Sequence, residues 1–139
     1  MNGKGVLHTW TRENGLGGDN VRWIGETSDG AIWAVIKPGG VARIVPVSQK
    51  VRLFRAGDGL GCEIANRGFV DRLDRMWIGT ICGVFLNERP SAGGAFRRIE
   101  QPDAFQQGAW AFAEDQRGAM WITGPKGLWR LKDGNGGSI

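Results

Sequence analysis

An all-β repeat architecture is the fold class this sequence predicts, and three observations predict it. Trp33, Trp77 and Trp121 stand 44 residues apart, twice in succession. Each is followed six or seven residues later by a glycine and an apolar residue, Gly40-Val41, Gly83-Val84 and Gly127-Leu128. Each is preceded by a polar turn and one apolar residue, as in Ser28-Asp29-Gly30-Ala31-Ile32, Leu73-Asp74-Arg75-Met76 and Arg117-Gly118-Ala119-Met120. That is hairpin punctuation leading into a strand. A fixed period of this size marks one supersecondary unit copied in series.

The chain reads accordingly as one architectural domain, 1–139, of three repeats at about 10–53, 54–97 and 98–133, with a glycine-rich tail at 134–139 expected to be flexible. Eighteen residues before the tryptophan, the first two repeats carry Gly15-Leu16 and Gly59-Leu60, whereas the third has Asp103-Ala104-Phe105 in that region. Between these landmarks lie the apolar runs Val21 to Gly25, Phe69-Val70 and Trp110 to Ala113, each too short for a helix. Every unit therefore reads as about four short strands. Such a unit is apolar on both faces and must lie between two neighbours, and a large flat indole repeated at one position fills each interface. The expected fold is a partial β-propeller of about three four-stranded antiparallel blades with a 44-residue period. Leucine-rich repeats are shorter, and helical solenoids need amphipathic runs that the 24 glycines interrupt. Another β-solenoid or a small sandwich is the alternative.

The residues also carry a resemblance. Gly15-Leu16, Val21, Ile24, Asp29-Gly30 and Ile32-Trp33, then Gly59-Leu60, Asp74, Met76-Trp77-Ile78-Gly79-Thr80 and Gly83-Val84, resemble the two-component regulator propeller repeat. The third copy, with Phe112, Glu114-Asp115, Gly118, Met120-Trp121-Ile122-Thr123 and Gly127-Leu128-Trp129-Arg130-Leu131, is similar. Arg75 stands where that repeat has a turn glycine, and the third copy lacks the Gly-Leu pair. The resemblance implies a ligand-sensing, extracytoplasmic part of a bacterial receptor, hence a periplasmic setting, with a histidine kinase or diguanylate cyclase as the output. Met1 to Gly5 leads straight into the first repeat without the look of a signal peptide. No apolar run reaches the ~18 residues of a membrane-spanning helix, so direct membrane insertion is not expected.

Propellers close with about four to eight blades, so three cannot make a ring. An open arc exposes two apolar blade faces. The expected partners are thus the missing blades of a longer parent chain, of which this would be a fragment, or a homo-oligomer in which two chains supply six blades.

With 41% hydrophobic and 23% charged residues, the composition is that of a folded globular chain. The net charge of +4 is spread, Arg97-Arg98 being the one adjacent basic pair, so a nucleic-acid partner is not expected. Cys62 and Cys82 have no companions at metal-ligand spacing and read as free thiols. Neither a metal nor another cofactor is expected. The one histidine, His8, precedes the first repeat. Propeller lyases such as the virginiamycin B lyase family share the blade architecture, but that likeness requires a histidine general base with metal-binding carboxylates on the ring axis. The carboxylates Asp71 and Asp74, or Glu114 and Asp115, read as turn-forming polarity. No catalytic residue and no enzymatic activity are expected.

A binding site belongs where the innermost strands begin, because loops of every blade converge there. The 44-residue register aligns Arg22, Asn66 and Trp110 at that point, with Asp19, Asn20, Arg67 and Gln107 beside them. Indole, guanidinium and amide groups together suit a carbohydrate or another small molecule. The leading functional expectation is a non-catalytic ligand-sensing propeller segment of a receptor. The alternative is a protein-interaction scaffold that completes its propeller by oligomerisation, and a propeller lyase or hydrolase is more remote.

Overall fold

In the computed structural model, which describes residues 8–61, 64–99 and 108–131, the chain forms three antiparallel sheets in succession. The first contains β1 (Val21–Glu26), β2 (Ile32–Ile36), β3 (Gly40–Val45) and β4 (Lys50–Phe54). The second contains β5 (Ala65–Val70), β6 (Met76–Thr80), β7 (Gly83–Asn87) and β8 (Arg97–Arg98). The third contains β9 (Ala111–Glu114), β10 (Met120–Gly124) and β11 (Gly127–Leu131). Each sheet is a simple meander, and the three form the expected partial β-propeller. The third blade shows three strands among the described residues, whereas four were expected. The glycine-rich 134–139 lies outside those residues.

The repeated tryptophans sit on the second strand of each blade, where period-2 alternation sends successive side chains to opposite faces. Trp33, Val35, Val41 and Phe54 leave blade 1 on its trailing face and pack with Ala65, Met76, Ile78, Phe85 and Phe96 on the leading face of blade 2. One interface further, Trp77, Val84, Leu86 and Ile99 pack with Met120, Ile122 and Leu131. On the leading face of blade 1, Ala34, Ile36, Ala42 and Ile44 meet Leu16 and Trp10. Trp33 and Trp77 are fully buried, and Trp121, on the trailing face of blade 3, is half-buried. The Gly-Leu landmark has a steric origin. Gly59 has φ +94, and a Cβ there would lie 2.2 Å from the Phe96 carbonyl oxygen. Only glycine allows this approach, which seats Leu60 in the first interface.

Burying an indole also buries its N–H, and the turn before each tryptophan supplies the acceptor. Trp77 Nε1 donates to Asp71 Oδ2 at 2.8 Å, and Trp121 Nε1 donates to Asp115 Oδ2 at 3.0 Å. The other carboxylate oxygen closes the turn, Asp71 Oδ1 accepting from the backbone N–H of Leu73 and Arg75 at 3.0 and 2.9 Å. Asp115 repeats this with Arg117 and Ala119 at 2.9 and 3.0 Å. An arginine completes each set: Arg75 bonds Asp71 at 2.7 Å and lies over the Trp77 ring at 5.7 Å, while Arg130 lies over Trp121 at 5.8 Å. In blade 1 the position of Asp71 and Asp115 is held by Thr27. Trp33 Nε1 donates to Thr27 Oγ1 at 3.0 Å, and that hydroxyl donates onward to Asp29 Oδ1 at 2.7 Å. Asp29 closes the turn through the Ala31 N–H and pairs with Arg43. Two residues thus do in blade 1 what one aspartate does in the others.

The same turns connect neighbouring blades. Ser28 donates from its backbone N–H and its hydroxyl to Asp74, at 2.8 and 2.7 Å. Its counterpart Arg72 bonds Glu114 at 3.2 Å and the Gln116 carbonyl at 3.0 Å. Arg75 is not the residue in the turn-glycine position, contrary to the sequence alignment. Asp74 is: it has φ +63, where Gly30 and Gly118 each have φ +85, and the strained backbone aims its carboxylate at Ser28.

Asp71→Ala leaves the Trp77 N–H, two backbone N–H groups and the Arg75 guanidinium without their acceptor. It is expected to cost about 3–5 kcal/mol in chemical unfolding, against about 1–3 kcal/mol for Thr27→Val in blade 1.

Acid should weaken the fold through the same groups. Asp115 is lowered from 3.8 to about 2 by the Trp121 indole N–H, opposed by burial and then reinforced by Ala119, Arg117 and Arg130. Burial, the largest single influence on Asp29, raises it, but Thr27, Ala31 and Arg43 together outweigh burial and leave it at about 2. Groups lowered on folding favour the folded chain above their unfolded value and lose that contribution as pH falls through the folded one. The melting temperature is expected to decline as pH drops from 3.8 toward about 2, and less steeply in Asp115→Asn. An equal decline in that variant would sink the assignment.

Candidate axial site

The innermost strands are β1, β5 and β9: β1 packs against β5, and β5 against β9. Small residues permit this approach. A Cβ on Gly68 would lie 2.6 Å from the Trp23 ring, and one on Gly79 would lie 2.7 Å from the Ala109 carbonyl oxygen. Where β1 and β5 begin, each carries a bulge. Val21 pairs with Ile36 and Trp23 with Val35, which leaves Arg22 as the extra residue; Ala65 pairs with Thr80 and Arg67 with Gly79, which leaves Asn66. A bulge re-aims the side chain it carries. The two residues aligned from the sequence therefore share a backbone irregularity as well as a register.

Asn66 crosses between blades. Its Oδ1 accepts from Lys37 Nζ of blade 1 at 3.0 Å, and its Nδ2 donates to the Ala109 carbonyl of blade 3 at 3.4 Å. Asn20 is held against the β2–β3 turn, donating from Nδ2 to the Lys37 carbonyl at 3.1 Å. Asp19 accepts from the Arg12 N–H at 2.7 Å. Arg22 and Arg67 are exposed, and their side chains make no hydrogen bond or ion pair among the described residues. Trp110 donates its backbone N–H to the Thr123 carbonyl and is 51% exposed as a residue. Gln107 lies outside the described residues.

The structure thus brings Arg22, Asn66, Arg67 and Trp110 to one end of the three inner strands. It adds Lys37, whose position in the β2–β3 turn no 44-residue landmark marks. Chemically this end offers an exposed tryptophan, two exposed guanidinium groups without a partner among the described residues, and an amide already engaged in joining blades. His8 is elsewhere, against Trp10 with ring centroids 4.1 Å apart. No group of three or more His, Cys, Asp or Glu side chains able to hold a metal ion occurs among the described residues. Cys82, in the β6–β7 turn at this end, is disulfide-bonded, which corrects the expectation of a free thiol. The other cysteine of the sequence, Cys62, lies outside the described residues. Ile64, just before β5, is held at the β6–β7 turn, its carbonyl accepting from the Ile81 N–H at 3.0 Å. Spacing along the chain carries no trace of this proximity.

No protein-family model matches the chain, and no curated protein does. Solved structures do. The extracellular domain of BT3049 from B. thetaiotaomicron, described as a hybrid two-component system, superposes with a TM-score of 0.68 at 26% identity over 88% of this chain. That of BT4673 from the same organism superposes with a TM-score of 0.77 at 18% identity over 93%. The chain has the fold of the two-component regulator propellers. It spans 17% of either of those chains. A streptogramin B lyase shares the fold less closely, with a TM-score of 0.56 at 16% identity over 80% of this chain and 40% of its own. Among the described residues of this propeller, no helix is long and apolar enough to cross a membrane.

Asn66→Ala removes the side-chain bonds to Lys37 and Ala109 that cross to the neighbouring blades at this end and should cost about 1–2 kcal/mol in unfolding. Arg67→Ala, at an exposed position, should stay within about 0.5 kcal/mol of the parent. Equal effects would mean that Asn66 does not tie the blades together.

Proposed function

We infer that the chain is a ligand-sensing propeller segment of a bacterial signal-transduction receptor, lies on the periplasmic side of the membrane and performs no chemistry itself. The observation that carries this reading is the superposition of 88% of the chain on the extracellular domain of a hybrid two-component system at 26% identity. A disulfide at Cys82 agrees with an oxidising compartment. Signal would pass to an output domain such as a kinase or cyclase in the parent receptor.

The ligand proposed for the axial end is a carbohydrate, with a preference for anionic forms. The Trp110 face suits stacking on a sugar ring. Arg22 and Arg67 suit hydroxyl and anionic substituents, and without an ion-pair partner among the described residues they favour an acidic ligand. Asn66, held between Lys37 and Ala109, supports these groups from below.

Neutral glucose oligosaccharides and their sulfated counterparts, titrated against the chain while tryptophan fluorescence is followed, test the reading. Sulfated oligomers are expected to bind more tightly, and Trp110→Ala to weaken binding at least about tenfold, the order expected for a stacking aromatic. Its melting temperature should hold, because the ring is half exposed. Binding that ignores both Trp110→Ala and sulfation would reject this site.

A further inference from the structure

Trp110 stands on a short backbone segment, 108–110, that blade 2 holds in place. The Ala109 N–H donates to the Thr80 carbonyl at 3.0 Å, and the Ala109 carbonyl accepts from Asn66 Nδ2 at 3.4 Å. Gly108, at φ +110, comes this near because it has no side chain: a Cβ there would lie 3.1 Å from the Thr80 carbonyl oxygen and 3.3 Å from Ile81 Cα. The support under Trp110 is therefore the β6–β7 turn, Ile81 and Cys82, which leaves β6 at Thr80 and enters β7 at Gly83. Thr80 is buried, and its hydroxyl closes that turn, donating to the Gly83 carbonyl at 3.0 Å and accepting from the Cys82 N–H at 2.9 Å. The equivalent turns of the other blades are stiffened differently. Blade 1 carries Pro38 there and blade 3 carries Pro125, and the proline ring fixes φ. Blade 2 has no proline in its turn, and Cys82 carries a disulfide instead. Of these three covalent restraints, the disulfide alone can be opened by a reductant and closed again.

We propose that Thr80 and the Cys82 disulfide form a redox-sensitive clasp that positions Trp110, so that the axial end holds its ligand tightly when the bond is closed and weakly when it is reduced. The turn is placed for this role. Cys82 is half-buried and packs against the apolar interface with blade 1, while Thr80 and Ile81, just before it, carry the entry to blade 3. Ile81 is 45% exposed, which opens the turn to a dithiol. Reduction breaks the S–S bond and leaves two protein thiols, their two electrons and two protons coming from the dithiol, which closes to its own disulfide. The Thr80 hydroxyl then ties a two-residue turn without any covalent restraint. Opening of that turn releases the Ala109 N–H, whose acceptor is the Thr80 carbonyl. Trp110 keeps its own bond to the Thr123 carbonyl within blade 3, so the blade stays folded while its entry loses its seat on blade 2. The effect on ligand rests on the carbohydrate reading given above, whereas the clasp stands on the turn geometry alone.

Amide hydrogen exchange of the full chain, followed by NMR with dithiothreitol as the reductant, tests the clasp. Reduction is expected to speed exchange of the Ala109 N–H at least about tenfold while the β2 amides of blade 1 keep their rates, and reoxidation to restore the starting value. Cys82→Ser should reproduce the reduced state without reagent. Thr80→Val, which loses the hydroxyl at nearly equal size, should also quicken Ala109 exchange, and Thr80→Ser, which keeps it, should return the parent rate. In parallel, calorimetric titration with sulfated glucose oligosaccharide should show binding weakened roughly three- to tenfold on reduction, in step with the fraction of chains whose Trp110 is out of place. Ala109 exchange indifferent to reduction and to Cys82→Ser, exchange quickened equally throughout the chain, or binding of the same strength before and after reduction would each overturn the proposal. An oxidised chain that binds no oligosaccharide would instead reject the ligand reading, and the exchange rates would still decide the clasp.

Discussion

Every blade has to seat an indole on its trailing face without stranding the N–H. The interface needs the area and flatness of tryptophan, yet a donor left without an acceptor there costs about 1–3 kcal/mol. The answer in this chain is local. A polar side chain six residues earlier, Asp71 or Asp115, reaches across the hairpin to the indole while its second oxygen ties the turn. The turn geometry, the strand that follows it and the ring orientation are therefore set by one carboxylate. The arginine over each ring balances the negative charge of the turn carboxylate and adds a cation–π contact to the indole. Blade 1 reaches the same end by a relay, Thr27 to Asp29, which shows that the constraint is the acceptor position and not the identity of the residue.

From that local unit the arc follows by repetition. Because each tryptophan holds one orientation, each blade has a trailing face of indole and valine or leucine and a leading face of isoleucine, methionine and alanine, and the two are complementary. Polar contacts outside the apolar interfaces fix the angle between blades. At the turn end these are Ser28 with Asp74 and Arg72 with Glu114, and at the opposite end Asn66 with Lys37 and Ala109. Two clamps at opposite ends of an apolar wedge leave little freedom to hinge.

The large features of this arrangement were legible in the residues. Trp33, Trp77 and Trp121 marked the second strand of each blade because a buried indole tolerates no substitute of equal shape, and the Gly-Leu pairs marked the link that only glycine can make near Phe96. Asp71 and Asp115 were visible as turn residues, but their hold on the indole was not. The 44-residue step from Thr27 through Asp71 to Asp115 is the signal that exposes it, hidden by the exchange of threonine for aspartate. Asp74 in a glycine position was misaligned by one residue, since nothing in composition separates a strained aspartate from a neighbouring arginine. The disulfide at Cys82 and the reach of Lys37 to Asn66 depend on which loops meet in space, which a period along the chain does not encode.

At the axial end one set of aligned positions meets different surroundings. Arg22 and Asn66 occupy the same bulge, yet only Asn66 has neighbours on both sides, because blade 2 is the only blade flanked by two others in this arc. Its amide is spent on Lys37 and Ala109. Arg22 belongs to the blade whose leading neighbour is not among the described residues, and its guanidinium remains open to solvent. Equivalent positions thus stand in different surroundings, Asn66 engaged on both sides and Arg22 exposed, so assigning one role to a whole aligned column misleads. What distinguishes the two cases is the presence of an adjoining blade to take up the hydrogen bonds.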